Sequence, residues 1–338
     1  MWEKVAKHWF MAALAICFAL GYLAAEFWKP LMEQGMFRNA VVFVVMWAMG
    51  VTLQPAAIRK SLSRPLPSLL AIVTNVLIVP LITLPTMLWL PPHLYGGLIV
   101  TAIVPCTLAS ASVWTRNAGG NESVAMMTTV VTNLACVVVV PAGIFLLLAS
   151  NADVDVVGQI PKLFLIVVLP LIVAQLIRRL GADQWADRNK SRLSILAQCG
   201  MLVMVTFGAA TSAGIMEGTP SNEGTAWTTG VLLLFSAIGV HSIALLFGIA
   251  VARSLSIDRG SQIAVGIAGS QKTLMVGLQI AIDCGVSVIP MIIYHLAQLI
   301  IDTVVADRWK SSGQLPTSQK PSTETNGTTT EQDDLGDG

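Results

Sequence analysis

The chain has 338 residues, 54% of them apolar or aromatic and only 12% charged, with a formal net charge of +1. Charged residues make up about 25% of an ordinary soluble domain, so this chain carries too much apolar surface for one water-facing core and belongs in a lipid bilayer. The same figures exclude a disordered or collagen-like chain, and the lack of a basic excess excludes a nucleic-acid-binding protein.

Apolar runs long enough to cross a bilayer as helices number ten, at about 8–28, 38–57, 66–90, 94–114, 122–149, 159–177, 194–215, 227–251, 261–282 and 286–305. Lys4 and Lys7 precede the first, Glu26 and Lys29 close it, and no small-residue cleavage site follows, so it reads as a retained helix rather than a signal peptide. The third run carries one amide, Asn75. The fourth has Pro105 near its middle, followed by Thr107, Ser110, Ser112 and Thr115. Before the fifth, Asn121 is placed to cap free N–H groups and Glu122 to meet the positive helix end, a structural role. The eighth carries His241. The ninth holds Gly266, Gly269, Ser270, Gln271, Lys272 and Thr273 in its middle, and the tenth carries His295 and Gln298 one turn apart. Asp302 and Asp307, at the end of the tenth, are expected to be solvated. Residues 309–338 turn abruptly to Ser, Thr, Gln, Asn, Gly and Asp, the composition of a disordered tail. Cys17, Cys106, Cys136, Cys199 and Cys284 are far apart in apolar surroundings, giving neither a metal pair nor a disulfide framework.

Cytoplasmic loops collect Lys and Arg. With the N-terminus inside, sixteen of the twenty basic residues fall on the inner side, only Lys29, Arg38 and Lys162 on the outer, and Lys272 within a span. Both termini are therefore expected in the cytoplasm, with the protein in the plasma (inner) membrane.

The fourth and ninth runs read as broken helices, with Pro105 and Gly269 as the breaking residues. They are the fourth of the first five and the fourth of the second five, and matching interrupted segments in two halves point to inverted repeats around a midplane site. Asn75 and His241 precede the two breaks by similar spacings. The expected fold is all-α, ten spans in two inverted five-helix repeats, about 1–150 and 155–308, forming one membrane domain over 1–308. Crossing broken helices bring together N-terminal ends that favour anions and carbonyls that favour cations.

Met49-Gly50-Val51-Thr52-Leu53-Gln54-Pro55, Asn75 with Pro80, Pro105 through Asn121-Glu122, Gly269-Ser270-Gln271-Lys272 and Tyr294-His295 with Gln298, in this order on a ten-span frame, resemble the bile acid:sodium symporters (the solute carrier 10 family). The likeness is closest to the divergent branch around that family's seventh human member. The resemblance implies a panel domain (spans 1, 2, 6 and 7) and a core domain (spans 3, 4, 5, 8, 9 and 10) whose relative movement exposes a central site to each side in turn. It also implies two cation positions behind the crossing, one near Ser110, Ser112 and Thr129, the other near Asn75, Ser270 and Gln271. Asn75 stands where relatives carry a glutamine. Two departures separate this chain from the sodium-coupled members: the bridging glutamate would fall near Ile267, and the Ser-Asn pair after the fourth-span proline is replaced by Ser110-Ala111-Ser112.

Lys272 is the one basic residue well inside a span, a position that marks ion or substrate pathways, although a shifted frame would let it snorkel to an interface. Its ammonium can take the place of a bound cation. Asn75, Thr107, Ser110, Ser112, Thr129, Ser270, Gln271, Lys272 and His295 are the candidate substrate- or ion-binding residues; interhelical hydrogen bonding is the rival role for the amides and hydroxyls, and plain packing that for His241 and His295. An intramembrane enzyme is disfavoured, because Ser270 and Lys272 lie two apart on a helix and do not face each other. The reading is a secondary transporter of a small, amphipathic organic anion, without cofactor apart from Na+ or H+ as coupling ion, sodium-independent or proton-coupled; an ordinary sodium symporter, a channel or a non-transporting regulatory protein are its rivals.

Overall fold

In the computed structural model the residues described are 2–32, 34–56, 61, 65–148, 155–217 and 223–313. The expected tail beyond 313 and the basic residues Arg59, Lys60, Arg64 and Lys320 lie outside them. All regular elements among the described residues are helical. In chain order they are α1 (Trp2–Leu23), α2 (Ala25–Met32), α3 (Gly35–Thr52), α4 (Pro65–Leu88), α5 (Pro92–Ile103), α6 (Ser110–Asn117), α7 (Glu122–Leu147), α8 (Val156–Arg188), α9 (Lys190–Glu217), α10 (Glu223–Ser254), α11 (Arg259–Ser270), α12 (Leu274–Asp283) and α13 (Ile289–Gly313).

Seven of these, α3, α4, α7, α8, α9, α10 and α13, contain stretches long and apolar enough to cross a membrane, or eight spans result if α1 and α2 count as one bent span. The protein is thus an all-helical, multi-pass membrane protein. The expected fourth and ninth spans each consist of two short helices, α5/α6 and α11/α12, separated by residues 104–109 and 271–273.

Two expectations need correction. The first span is not one straight helix: its parts meet at 92°. Glu26 and Lys29, 3.6 Å apart and exposed, sit on the turned-off helix α2, which keeps charges out of the apolar path that a straight continuation would follow. Gly269 does not break a helix. It lies inside α11, where an added Cβ would come 2.9 Å from the Thr74 side chain, so its lack of a side chain lets α11 close onto α4; the interruption begins two residues later.

Helix packing sorts into two groups. In one, α1 and α3 pack on α9, and α3 on α8. In the other, α11 lies against α10, α4 and α7, while α13 packs on α10, α5 and α6. The groups meet where α12 touches α9 and α3 and where α8 touches α7. Asn121 caps α7 through Ser123 N (3.2 Å), and Glu122 in its first turn pairs with Arg116 at 2.9 Å, the structural role expected of both.

The close α4–α11 approach yields a prediction. Gly269→Ala should destabilise by about 1–3 kcal/mol, the usual cost of overpacking, read as a lower melting temperature of the purified protein in detergent. Gly230→Ala, where an added Cβ meets nothing within 4 Å, should melt like wild type. Equal melting of both variants would contradict this contact.

Candidate functional site

A chain crossing an apolar medium must satisfy every backbone polar group internally, and a broken helix frees several at once. Pro105 supplies no N–H and pushes the preceding residue out of the helical region. Val104 accordingly ends α5 at φ −72°, ψ 158°. The freed groups beyond it are taken up by side chains of α7. Thr132 Oγ1 accepts from Cys106 N (3.2 Å), Asn133 Nδ2 donates to Cys106 O (2.9 Å), and Thr129 Oγ1 donates to Thr107 O (3.0 Å). Thr107 Oγ1 accepts from Ala111 N at 3.0 Å in the first turn of α6.

The second break is bracketed from α13. Gln298 accepts from Lys272 N (2.9 Å) and donates to Lys272 O (3.1 Å), while Tyr294 OH donates to Ser270 O (2.8 Å). Asn75 Nδ2 donates to Gln271 O at 2.8 Å and to Gly269 O at 3.2 Å. The breaks meet directly, since Thr273 N donates to Pro105 O at 2.9 Å.

Lys272 joins three elements at this crossing. Its side chain is 1% exposed, and its Nζ donates to Asn75 O (2.6 Å), Asn75 Oδ1 (3.2 Å) and Val104 O (3.0 Å). The first of these acceptors has a local cause. Residues Thr74–Ile78 form a π turn in which Val79 N–H reaches back to Thr74 O. The donor in the same register for Asn75 O is Pro80, which has no N–H, so this carbonyl is left for the ammonium.

On the other side of the break lies a second charge. Gln271 Oε1 accepts from Thr107 Oγ1 and Ser110 Oγ, both at 2.9 Å, and its Nε2 donates to Asp302 Oδ2. Asp302 Oδ1 lies 3.1 Å from His241 Nε2, and His241 Nδ1 lies 3.4 Å from Ser270 O. Asp302 and His241 are both fully buried. The expectation that Asp302 is solvated is therefore wrong; Asp307 is exposed. The sequence held a signal for it: His295, Gln298 and Asp302 are spaced i, i+3 and i+7, one face of a helix. A buried ammonium and a buried carboxylate are thus held in one network, each by hydrogen bonds.

In front of the crossing, between the two helix groups, lies a cavity of about 350 Å³. One wall is formed by Thr107, Ser110, Ser112, Thr273 and His295, the facing wall by Thr52 of α3 and Lys190, Ser194 and Gln198 of α9, with Phe10, Met49, Leu53 and Trp114 among the apolar lining. Lys190, Ser194 and Gln198 recur every four residues, a polar stripe along one face of α9 that apolar run length does not reveal.

The candidate residues therefore divide. Asn75, Ser270, Gln271 and Lys272 sit behind the crossing, joined to Thr107 and Ser110 at the cavity wall. Thr129 supports the first break from behind. His295 lines the cavity, and its Nδ1 accepts from Gln298 Nε2 at 2.8 Å. Ser112 lines it too, but its hydroxyl donates to Ala109 O at 3.1 Å and joins no other candidate. Among the described residues no group of three or more His, Cys, Asp or Glu side chains is arranged to hold a metal ion.

Residues 8–311 match the SBF-like CPA transporter family. The chain is 27% identical to the Escherichia coli protein named "Putative symporter YfeH" over 68% of this chain and 70% of that one. It is 23% identical to sodium/bile acid cotransporter 7-A of Xenopus laevis over 91% and 93%, and 24% identical to sodium/bile acid cotransporter 7 of Mus musculus over 91% and 94%.

Removing the ammonium should unsettle the crossing, because two carbonyls and an amide oxygen lose their donor in a buried place. Lys272→Met should cost about 3–5 kcal/mol, as expected when one partner of a buried charged network is deleted, and lower the melting temperature well below that of Lys310→Met at the exposed end of α13. Equal melting of the two variants would show that the ammonium does not hold the crossing.

Proposed function

The chain belongs to the SBF-like CPA transporter family, matched over residues 8–311, and from that premise we propose a secondary transporter of a small amphipathic organic anion, working by alternating access. It is a membrane transporter, not an enzyme. The observation that carries the finer reading is the juxtaposition of a cavity between two helix groups with a crossing of two broken helices at its wall. The ten-span frame, its two inverted repeats and the division into a panel (α1, α3, α8, α9) and a core (α4–α7, α10–α13) belong to this proposal and are supported by the grouping of the helix contacts.

An amphipathic anion fits the cavity chemically. Its apolar body meets Phe10, Met49, Leu53 and Trp114, and its charged end meets Lys190, which is half-buried and followed by Ser194 and Gln198 along α9. Lys190 is a point charge without a planar fork, which suits attraction of an anionic group more than selection of one geometry. The relatives named for sodium and bile acid make a bile-acid-like carboxylate or sulfonate the first probe.

The coupling reading rests on Lys272. Its ammonium occupies carbonyl and amide oxygens of the kind that coordinate a cation, and Asp302 supplies one opposite charge, so the network is balanced without a bound ion. Transport is then sodium-independent. Proton coupling is the second reading, favoured by His241, whose two ring nitrogens both face oxygen acceptors. A neutral imidazole carries one N–H, so both contacts become hydrogen bonds only with one more proton on the pair. The proposal includes a plasma (inner) membrane location with both termini cytoplasmic, which the sorting of basic residues supports.

Uptake of a bile-acid-like anion into proteoliposomes tests this. Uptake should persist when choline replaces sodium, be lost in Lys272→Gln and Lys272→Arg, and show a raised KM in Lys190→Gln. Sodium-dependent uptake unaltered by Lys272→Gln would restore ordinary sodium symport, and no uptake of any anion by wild type would favour the non-transporting reading.

Sidedness has its own test. Cysteines placed at residue 188 or 259 should react with an impermeant thiol reagent only after permeabilisation, as the basic-residue bias requires. Labelling in intact cells would reverse the orientation.

A further inference from the structure

At the ends of α3 and α12 remote from the cavity, the two helix groups are bound together by charge. Asp283, the last residue of α12, pairs with Lys162 of α8 and with Arg38 of α3, the latter at 3.5 Å. Gln279, one turn earlier on α12, donates to both carboxylate oxygens at 3.1 Å. The Asp283 side chain is 7% exposed, and those of Arg38 and Lys162 are 15% and 25% exposed, so these pairs are shielded from solvent far more than a surface ion pair and are correspondingly stronger. At the same end Ser212 of α9 accepts from Val288 N at 3.1 Å, and Gly208 of α9 lets Val288 approach to van der Waals contact.

The polarity is consistent across the elements. Met49 and Thr52 at the end of α3, Lys190 to Met201 in the first half of α9, and Thr273 and Leu274 at the start of α12 line the cavity. Arg38, Ser212 and Asp283 lie at the other ends of the same three helices. The groups are therefore parted at one end and closed at the other.

We propose that Asp283, with Arg38 and Lys162, is the gate of the end opposite the cavity, an ion clamp between the core half-helix α12 and the panel helices α3 and α8. It holds that end shut while the cavity is open, and it must release for the other face to open. The inference rests on the alternating-access reading above. One carboxylate shared by two cations makes the clamp a single point of release, since moving α12 by a few ångströms breaks both pairs together.

The native Cys284, 7% exposed beside the clamp, reports on this end, and Ser194→Cys reports on the cavity. Cys284 is measured in purified protein carrying Cys17→Ala and Cys199→Ala, and Ser194→Cys in the same background with Cys284→Ala added, each by the rate of labelling with a charged maleimide in the presence and absence of Asp283→Asn. Asp283→Asn should raise the Cys284 rate about tenfold and lower the Ser194→Cys rate, the signature of a shifted population. Lys162→Gln should do the same to a smaller extent and carries the test where Asp283→Asn does not yield folded protein. No rise at Cys284 overturns the clamp alone. A rise at both thiols marks a loosened fold and likewise overturns the clamp, whereas a rise at Cys284 with no change in the cavity overturns alternating access itself.

Discussion

Two helices interrupted inside an apolar chain create the constraint from which the rest of this structure follows. Each interruption exposes carbonyls and amides that hydrocarbon cannot satisfy, and each unsatisfied group costs several kcal/mol. The chain meets that cost by making each break the partner of the other and by placing buried polar side chains of α4, α7 and α13 against both. Lys272 is the centre of the solution. Its three donors reach Asn75 and Val104, and so tie α4, the end of α5 and the second break into one unit. A bound cation could hold such oxygens, but here a side chain of the protein itself reaches them.

That unit has a back and a front. Behind it, charge is balanced by Asp302, which orients the Gln271 amide so that its oxygen meets the Thr107 and Ser110 hydroxyls. In front, those hydroxyls form part of the cavity wall. Ser110 at the cavity wall therefore lies two hydrogen bonds from the buried carboxylate. Rigidity at the crossing also permits movement elsewhere. In the alternating-access reading proposed above, a core tied internally moves as one body against α1, α3, α8 and α9, with the interface between the groups as the surface that changes.

Much of this was legible in the residues. Pro105 announced the first break because the ring removes a donor and excludes the helical conformation before it. A lysine within a long apolar run marked the second break, and Asn75 stood out as the one amide of its run. What the sequence hid was hidden by register and by tertiary contact. Gly269 resembled a breaker, yet its role is to admit Thr74, a contact 195 residues away that no local pattern encodes. Asp302 resembled a solvated span end because α13 runs on past it; counting i, i+3 and i+7 from His295 would have placed it on the buried face. The bend after Leu23 and the Lys190–Ser194–Gln198 stripe leave the length of their apolar runs unchanged, and the polar face of such a run carries as much information as its length.

The claim that Lys272 stands in for a bound cation is tested most directly without any substrate. A ligand that binds only the folded state stabilises it by RT ln(1 + [L]/Kd) and so raises its melting temperature. The melting temperature of the purified protein, compared in sodium chloride and in choline chloride at equal ionic strength, should be the same for wild type. A rise specific to sodium would mean that the oxygens around the crossing still bind the ion, and would contradict the account.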